Sequence, residues 1–137
     1  LSQVQVVPSI YIHKVWDHVE RYIDNAMFHS GGEISSEHIK QYLVQGSQTL
    51  LIAVDENNII HGCTVIEWNN YPNERIAFVI AIGGRMIINK ELWHQLERWA
   101  IDNGATMIRG AVRPSMMRLL SKHFDFKQRY IVAEKKL

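Results

Sequence analysis

A single cysteine, three prolines and the want of any long uninterrupted apolar run set the first limits on this 137-residue chain. The lone Cys63 excludes an internal disulfide framework and suits a reducing compartment. No stretch of about 18 apolar residues occurs, so a membrane-spanning helix is not expected. No basic stretch followed by an apolar one opens the chain, although it starts on Leu1 rather than Met and leaves room for an upstream segment. Walker sequences, dinucleotide fingerprints and Gly-x-Ser-x-Gly elbows are all missing, which removes the motif-based nucleotide and serine-hydrolase readings. The seven histidines, at 13, 18, 29, 38, 61, 94 and 123, show no His-x-x-x-His pair and no cysteine partner, so no metal site is expected.

Cations are scarce in the first half. Residues 1–68 hold three Lys/Arg against eight Asp/Glu, a net −5, whereas residues 69–137 hold twelve against six, a net +6. The basic half suits an anionic ligand such as a nucleotide phosphate or nucleic acid, and mutual attraction of the two halves accounts for the asymmetry equally well.

What is present reads as alternating elements. Val4–Val7 is a short strand, and Pro8–Ser9 opens a helix with Ser9 as N-cap. Ile12, Val15, Trp16, Val19, Ile23, Ala26 and Met27 follow at helical spacing up to "HSGG". Ser35 starts a second helix that Gly46 closes. Thr49–Val54 and Ile59–Trp68, joined by "DENN", form an antiparallel hairpin. Arg75–Ile82 is almost continuously apolar, as befits a central strand covered on both faces. A helix carrying Leu92, Leu96, Trp99 and Ala100, capped by Asn89 and ended by Asn103–Gly104, leads to a strand over Thr106–Val112. Pro114 opens a short helix, and Phe126–Lys135 is a last strand. The whole of 1–137 is therefore one α/β domain with a mixed central sheet, helices on both faces and the order β-α-α-β-β-β-α-β-α-β.

This order, over essentially the whole chain, resembles the GNAT (Gcn5-related N-acetyltransferase) superfamily. Locally, "LWHQLERWAIDNGATMI" looks like the family's helix after the fourth strand, and "MMRLLSKHFDF" like the segment that usually ends in glycine–phenylalanine. The resemblance implies acetyl-CoA as acyl donor. It places the pantetheine and pyrophosphate on backbone N–H groups of Ile80, Ile82 and the Gly83–Gly84–Arg85 turn, with Lys90 and Arg113 adding charge. It also implies a general base, for which Glu67 and Glu74 are the candidates, and an acid for the leaving thiolate. The sequence departs from the family at two points. "GGRMIINKELW" puts isoleucines where the family's loop has glycines, and Ser121 stands at the position of the usual tyrosine acid, leaving Tyr130 as the stand-in.

These departures also look like phage-encoded GNAT-like proteins whose CoA loop is eroded. The leading expectation is accordingly a non-catalytic or weakly active structural, internal virion or assembly protein in the host cytoplasm or virion. It would work through self-association or partner proteins at exposed aromatics such as Trp68, Tyr71 or Trp93. The alternatives are an acetyl-CoA-dependent N-acyltransferase with an atypical loop, and a nucleic-acid-binding accessory protein using Arg109, Arg113, Arg118, Lys122, Lys127 and Arg129.

Overall fold

The β-branched, apolar stretch TLLIAV becomes an inner strand of a five-stranded sheet whose spatial order follows the chain. The computed structural model describes residues 2–28, 31–87 and 89–137. Strands β1 (Gln3–Val7), β2 (Thr49–Val54), β3 (Ile60–Asn70) and β4 (Arg75–Gly84) are successively antiparallel, and β5 (Met107–Gly110) runs parallel to β4. Helices α1 (Ile12–Met27) and α2 (Ser36–Gln45) lie between β1 and β2, α3 (Lys90–Asp102) crosses from β4 to β5, and α4 (Pro114–His123) follows β5.

Alternation along the strands feeds two cores. Leu50, Ile52, Cys63, Val65 and Ala81 face α1 and α2, where they meet Trp16, Val19, Ile23, Ile39 and Leu43. Leu51, Ala53, Ile66 and Ala77 face the other way and meet Leu92, Trp93, Leu96, Ala100 and Leu120 of α3 and α4. Gln95 ties α3 to β1, its Oε1 accepting the Val4 N–H at 2.7 Å and its Nε2 donating to the Ser2 carbonyl at 3.3 Å.

Helix ends follow their local chemistry. Ser35 donates its N–H to His38 Nδ1 at 3.0 Å, and Gly46 closes α2 in the left-handed conformation at φ 83°. The Asn89 side chain accepts the Leu92 N–H at 3.0 Å, and Pro114 occupies the first turn of α4. The start of α1 differs from expectation. Ser9 lies in a 3-10 turn (Ser9–Tyr11), and α1 begins after it with no side-chain cap. His29, in the expected end of that helix, and Ile88, in the loop after β4, lie outside the described residues.

The order runs as expected as far as α4 and departs after it. The strand expected over Phe126–Lys135 is absent; residues 125–137 carry no regular secondary structure. The edge it would pair with, β5, is only four residues long and offers few ladder bonds. Phe126 is drawn off to α3 instead, its ring meeting Trp93 edge-on at 5.6 Å beside Phe124 at 5.2 Å.

Candidate functional site

The chemistry-bearing feature is built into β4. Val65 pairs with Ala81 but its neighbour Ile66 pairs with Val79, so Ile80 is an extra residue, a β-bulge. On the other side, β4 pairs with β5 only from Ile76↔Met107 to Val79↔Gly110. The two parallel strands therefore part at the bulge. From Ile80 to Gly84 the β4 edge that faces away from β3 has no strand partner among the described residues. Peptide groups left unpaired at a sheet edge seek external partners, and the parting of the two strands is the gap they border. Ile80 and Ile82 both lie in this unpaired stretch.

The Gly83–Gly84 pair does something other than cradle an anion. A Cβ on Gly83 would lie 2.9 Å from the Cβ of Tyr22 on α1. Gly84 has φ +66°, and a Cβ there would overlap the His61 carbonyl oxygen and come 2.7 Å from Gly62 Cα. The glycines let the end of β4 press against α1 and β3 and then turn the chain. The next residues, Arg85–Ile87, form a 3-10 turn in which Arg85 is exposed and Met86 is fully buried. The N-terminus of α3 is already capped by Asn89, and Glu91 adds a negative charge to its first turn. Lys90 is exposed at that terminus, and Arg113 is exposed at the position preceding α4. Backbone donors remain for an anion here, but the glycine-lined hollow that would bring phosphate close is filled by Tyr22 and β3.

The candidate acid–base residues separate cleanly. Glu74 stands ahead of the first residue of β4, at the end opposite the gap, and its carboxylate accepts the Thr106 hydroxyl. Ile80 lies six residues beyond Glu74, about 20 Å at the rise of extended chain. Glu74 is thus a structural clasp at the starts of β4 and β5, and the structure removes it from the gap. Beside it, Arg75 stacks on Trp68 at 3.8 Å and donates to Asn70 Oδ1 at 2.7 Å and the Asn103 carbonyl at 2.9 Å.

Glu67, by contrast, pairs across the ladder with Phe78, two residues before the bulge, and Phe78 pairs with Arg109 of β5. Register partners share a face, so Glu67, Phe78 and Arg109 form one row on the α1/α2 side, all three half-buried. No hydrogen bond or ion pair engages the Glu67 carboxylate among the described residues. Tyr130 is exposed, and the Arg109 guanidinium lies over its ring at 5.8 Å. That contact brings Tyr130 to the row through Arg109.

Three contributors escaped the sequence reading. The bulge at Ile80 is hidden inside an apolar run, because residues of both faces are apolar there. Arg109 was read as one of a basic cluster, and only register shows it opposite Phe78 and in line with Glu67. Gln48 follows a helix-ending Gly-Ser pair and looks like a loop residue, yet it is buried and its Oε1 has no hydrogen-bond partner among the described residues. Of the aromatics expected to form a partner surface, Trp93 is buried, Trp68 is half-buried in contact with Arg75 and with the Trp99 ring at 5.6 Å, and Tyr71 alone of the three is exposed. Two shallow surface hollows of about 440 and 370 Å³ lie along the outer face of α3 and between α1 and the β2–β3 turn, and neither touches β4.

No protein-family model matches the chain, and no curated protein matches its sequence. Solved structures do. An aminoglycoside acetyltransferase from an uncultured soil metagenomic sample, in complex with sisomicin, superposes with a TM-score of 0.69 at 16% identity, over 99% of this chain and 96% of that one. AAC(6′)-Iy in complex with the bisubstrate analogue CoA-S-monomethyl-acetylneamine gives 0.65 at 14% identity, over 100% and 99%. A predicted acetyltransferase from Clostridium acetobutylicum with acetyl-CoA gives 0.66 at 13% identity, over 99% and 96%. With its mixed five-stranded sheet, its helices on both faces and a bulged fourth strand parting from the fifth, this chain has the GNAT fold.

Proposed function

We propose that the chain is an acyl-CoA-dependent N-acyltransferase, and the observation that carries this reading is the parting of β4 from β5 at the Ile80 bulge. A gap lined on one side by unpaired peptide groups suits a ligand made largely of amide bonds, which pantetheine is. The neighbours that were solved with acetyl-CoA or a CoA analogue support this alternative over a non-catalytic structural role.

Tested residue by residue, the chain fits acetyl-CoA at its acyl end and poorly at its pyrophosphate end. Ile80 and Ile82 offer backbone N–H and C=O groups to the pantetheine arm. Arg85, Lys90 and Arg113 offer charge to the phosphates, but no glycine-lined hollow receives them, so affinity depends on the arm and on loose charge contacts. When bound, CoA supplies an acyl group activated as a thioester. Glu67 sits beside the bulge with a free carboxylate and accepts the proton that the amine loses as its nitrogen bonds to the acyl carbon and the C–S bond breaks. The departing thiolate takes its proton from solvent. Ser121 of α4 is exposed and is too weak an acid to supply it, and Tyr130 is engaged by Arg109.

The test is calorimetric titration with acetyl-CoA, with release of free thiol measured over a panel of amines. Gly110→Val blocks the point where the strands part; Gly110 has an ordinary backbone φ, and an added Cβ would meet nothing closer than Val79 at 3.7 Å. The variant is expected to keep the thermal midpoint and lose the binding heat. Absence of heat or of a thermal shift with wild-type protein at millimolar acetyl-CoA would overturn the reading and return the fold to a scaffolding role.

A further inference from the structure

The row that carries Glu67 extends in both directions, and its composition specifies an acceptor. Thr49, the first residue of β2, pairs with Ile66, and the same register carried one residue further sets Gln48, in the loop between α2 and β2, beside Glu67. The row then runs from Gln48 through Glu67 of β3 and Phe78 of β4 to Arg109 of β5. The preceding row, Leu50, Val65 and Ala81, belongs to the core beneath α1 and α2. The polar row is the next one along the sheet on that same side. Its burial falls away in order: Gln48 is 6% exposed, whereas Glu67, Phe78 and Arg109 are half-buried.

Two features make this row a site rather than a solvated strand end. First, Gln48 Oε1 is a buried acceptor with no donor among the described residues, and the residue beside it, Glu67, brings two more acceptor oxygens and a negative charge. Burying an acceptor without a donor costs about 1–3 kcal/mol, and a carboxylate neighbour gives it none. An ammonium or amine, with several N–H groups and positive charge, supplies what both lack. Second, the only cation of the row, Arg109, is two strands from Glu67, about 10 Å between Cα atoms at ordinary strand spacing, and the two are not ion-paired. Its guanidinium carbon lies 5.8 Å from the centre of the Tyr130 ring, and one Nη makes a weak 3.7 Å contact to Met107 Sδ. Neither contact engages an oxygen acceptor, which leaves the guanidinium N–H groups to a carboxylate.

We infer that the row Gln48–Glu67–Phe78–Arg109 is the acceptor subsite, and that it takes an amine which also carries a carboxylate, the ammonium at Gln48 and Glu67, the acid at Arg109, and the apolar stem over Phe78. This rests on the acyltransferase reading for its role in catalysis, though not for its binding. A polycationic amine is disfavoured, since the row offers one carboxylate and opposes a second cation with Arg109.

The experiment is a titration of ¹⁵N-labelled protein, without acetyl-CoA, using 6-aminohexanoate, its neutral counterpart 6-aminohexanamide, and spermidine. The acid is expected to bind about tenfold tighter than the amide, the size of one charge-assisted bidentate contact, and to move the Phe78 and Arg109 backbone signals and the Gln48 side-chain amide. In Arg109→Gln that preference falls to about unity while binding of the amide is unchanged, a pattern that a general loss of structure does not produce. In Arg109→Lys the preference is partly kept. Equal binding of acid and amide, tighter binding of spermidine, or no shift in the row at the highest soluble concentrations would each overturn the inference. If the acid binds as described and acetyl-CoA still gives no turnover, the subsite stands and the acyltransfer reading falls alone.

Discussion

At the scale of single residues, the glycine pair and the cysteine are constrained by what surrounds them. Gly84 combines a left-handed backbone with contact distances that no side chain tolerates, because His61 and Gly62 of β3 lie directly behind it. Gly84→Val should destabilise the fold by about 2–5 kcal/mol, the sum of a strained φ and an overpacked contact, and urea unfolding would read it directly. Loss of acetyl-CoA binding in that variant would therefore report on folding and not on a phosphate cradle. Cys63 is fully enclosed in the α1/α2 core, and burial pushes its thiol up to about 12. It should stay unmodified by a thiol reagent at pH 8 in native protein and react at once in denaturant; rapid native labelling would show that β3 opens more readily than its packing implies. The sequence displayed these residue types plainly. It did not display their surroundings, which is why Gly83 and Gly84 read as a phosphate turn until Tyr22 was seen against them.

At the scale of elements, the hairpin of β2 and β3 illustrates how a turn can be held by charge. Asp55 Oδ1 accepts the N–H groups of Asn57 and Ile59 at 2.8 and 3.0 Å, Asn58 turns at φ 62°, and Oδ2 meets His61 Nε2 at 2.7 Å. The hydrogen bond from His61, followed by that from Ile59, holds the Asp55 carboxyl below its ordinary value. A lowered folded pKa contributes stability that is present above the unfolded value near 3.8 and lost as pH falls through the folded value. Asp55→Asn should thus melt lower than wild type at pH 7, and the two should converge as pH falls well below 3.8 and the Asp55 carboxylate is protonated in the folded protein; a gap that persists in acid would assign the effect to packing. The same turn was legible as "DENN" between β-branched runs, as were the caps at Ser35, Asn89 and Pro114, because each depends on residues within four positions. The strand expected at Phe126–Lys135 was not, because its fate depends on β5 being short and on Trp93 competing for Phe126.

At the scale of the whole molecule, the fold was legible because its element order is restrictive, whereas the proposed acceptor row was not, because it is assembled from a loop and three strands spread over some sixty residues of chain. No helix among the described residues is long and apolar enough to cross a membrane. The two-sided core accounts for residues up to Phe126, and every residue from Lys127 to Leu137 is exposed. Limited trypsin should cut first after Lys127 and Arg129 and leave a folded fragment that retains everything before the cut, as mass spectrometry and a retained melting transition would show. Early cuts at Arg98 or Arg75 would mean that α3 is less firmly held than its buried stripe implies. The β4 bulge has a consequence of another kind. Before it, Phe78 faces α1 and Val79 faces α3; after it, Ala81 and Gly83 face α1 and Ile82 faces α3. The two halves of the strand are out of phase by one residue. In hereditary terms Ile80 is a codon that packing alone would not miss: joining Val79 directly to Ala81 keeps Ala81, Ile82 and Gly83 on the sides they now face, so its loss would spare the core and erase the bulge where β4 leaves β5.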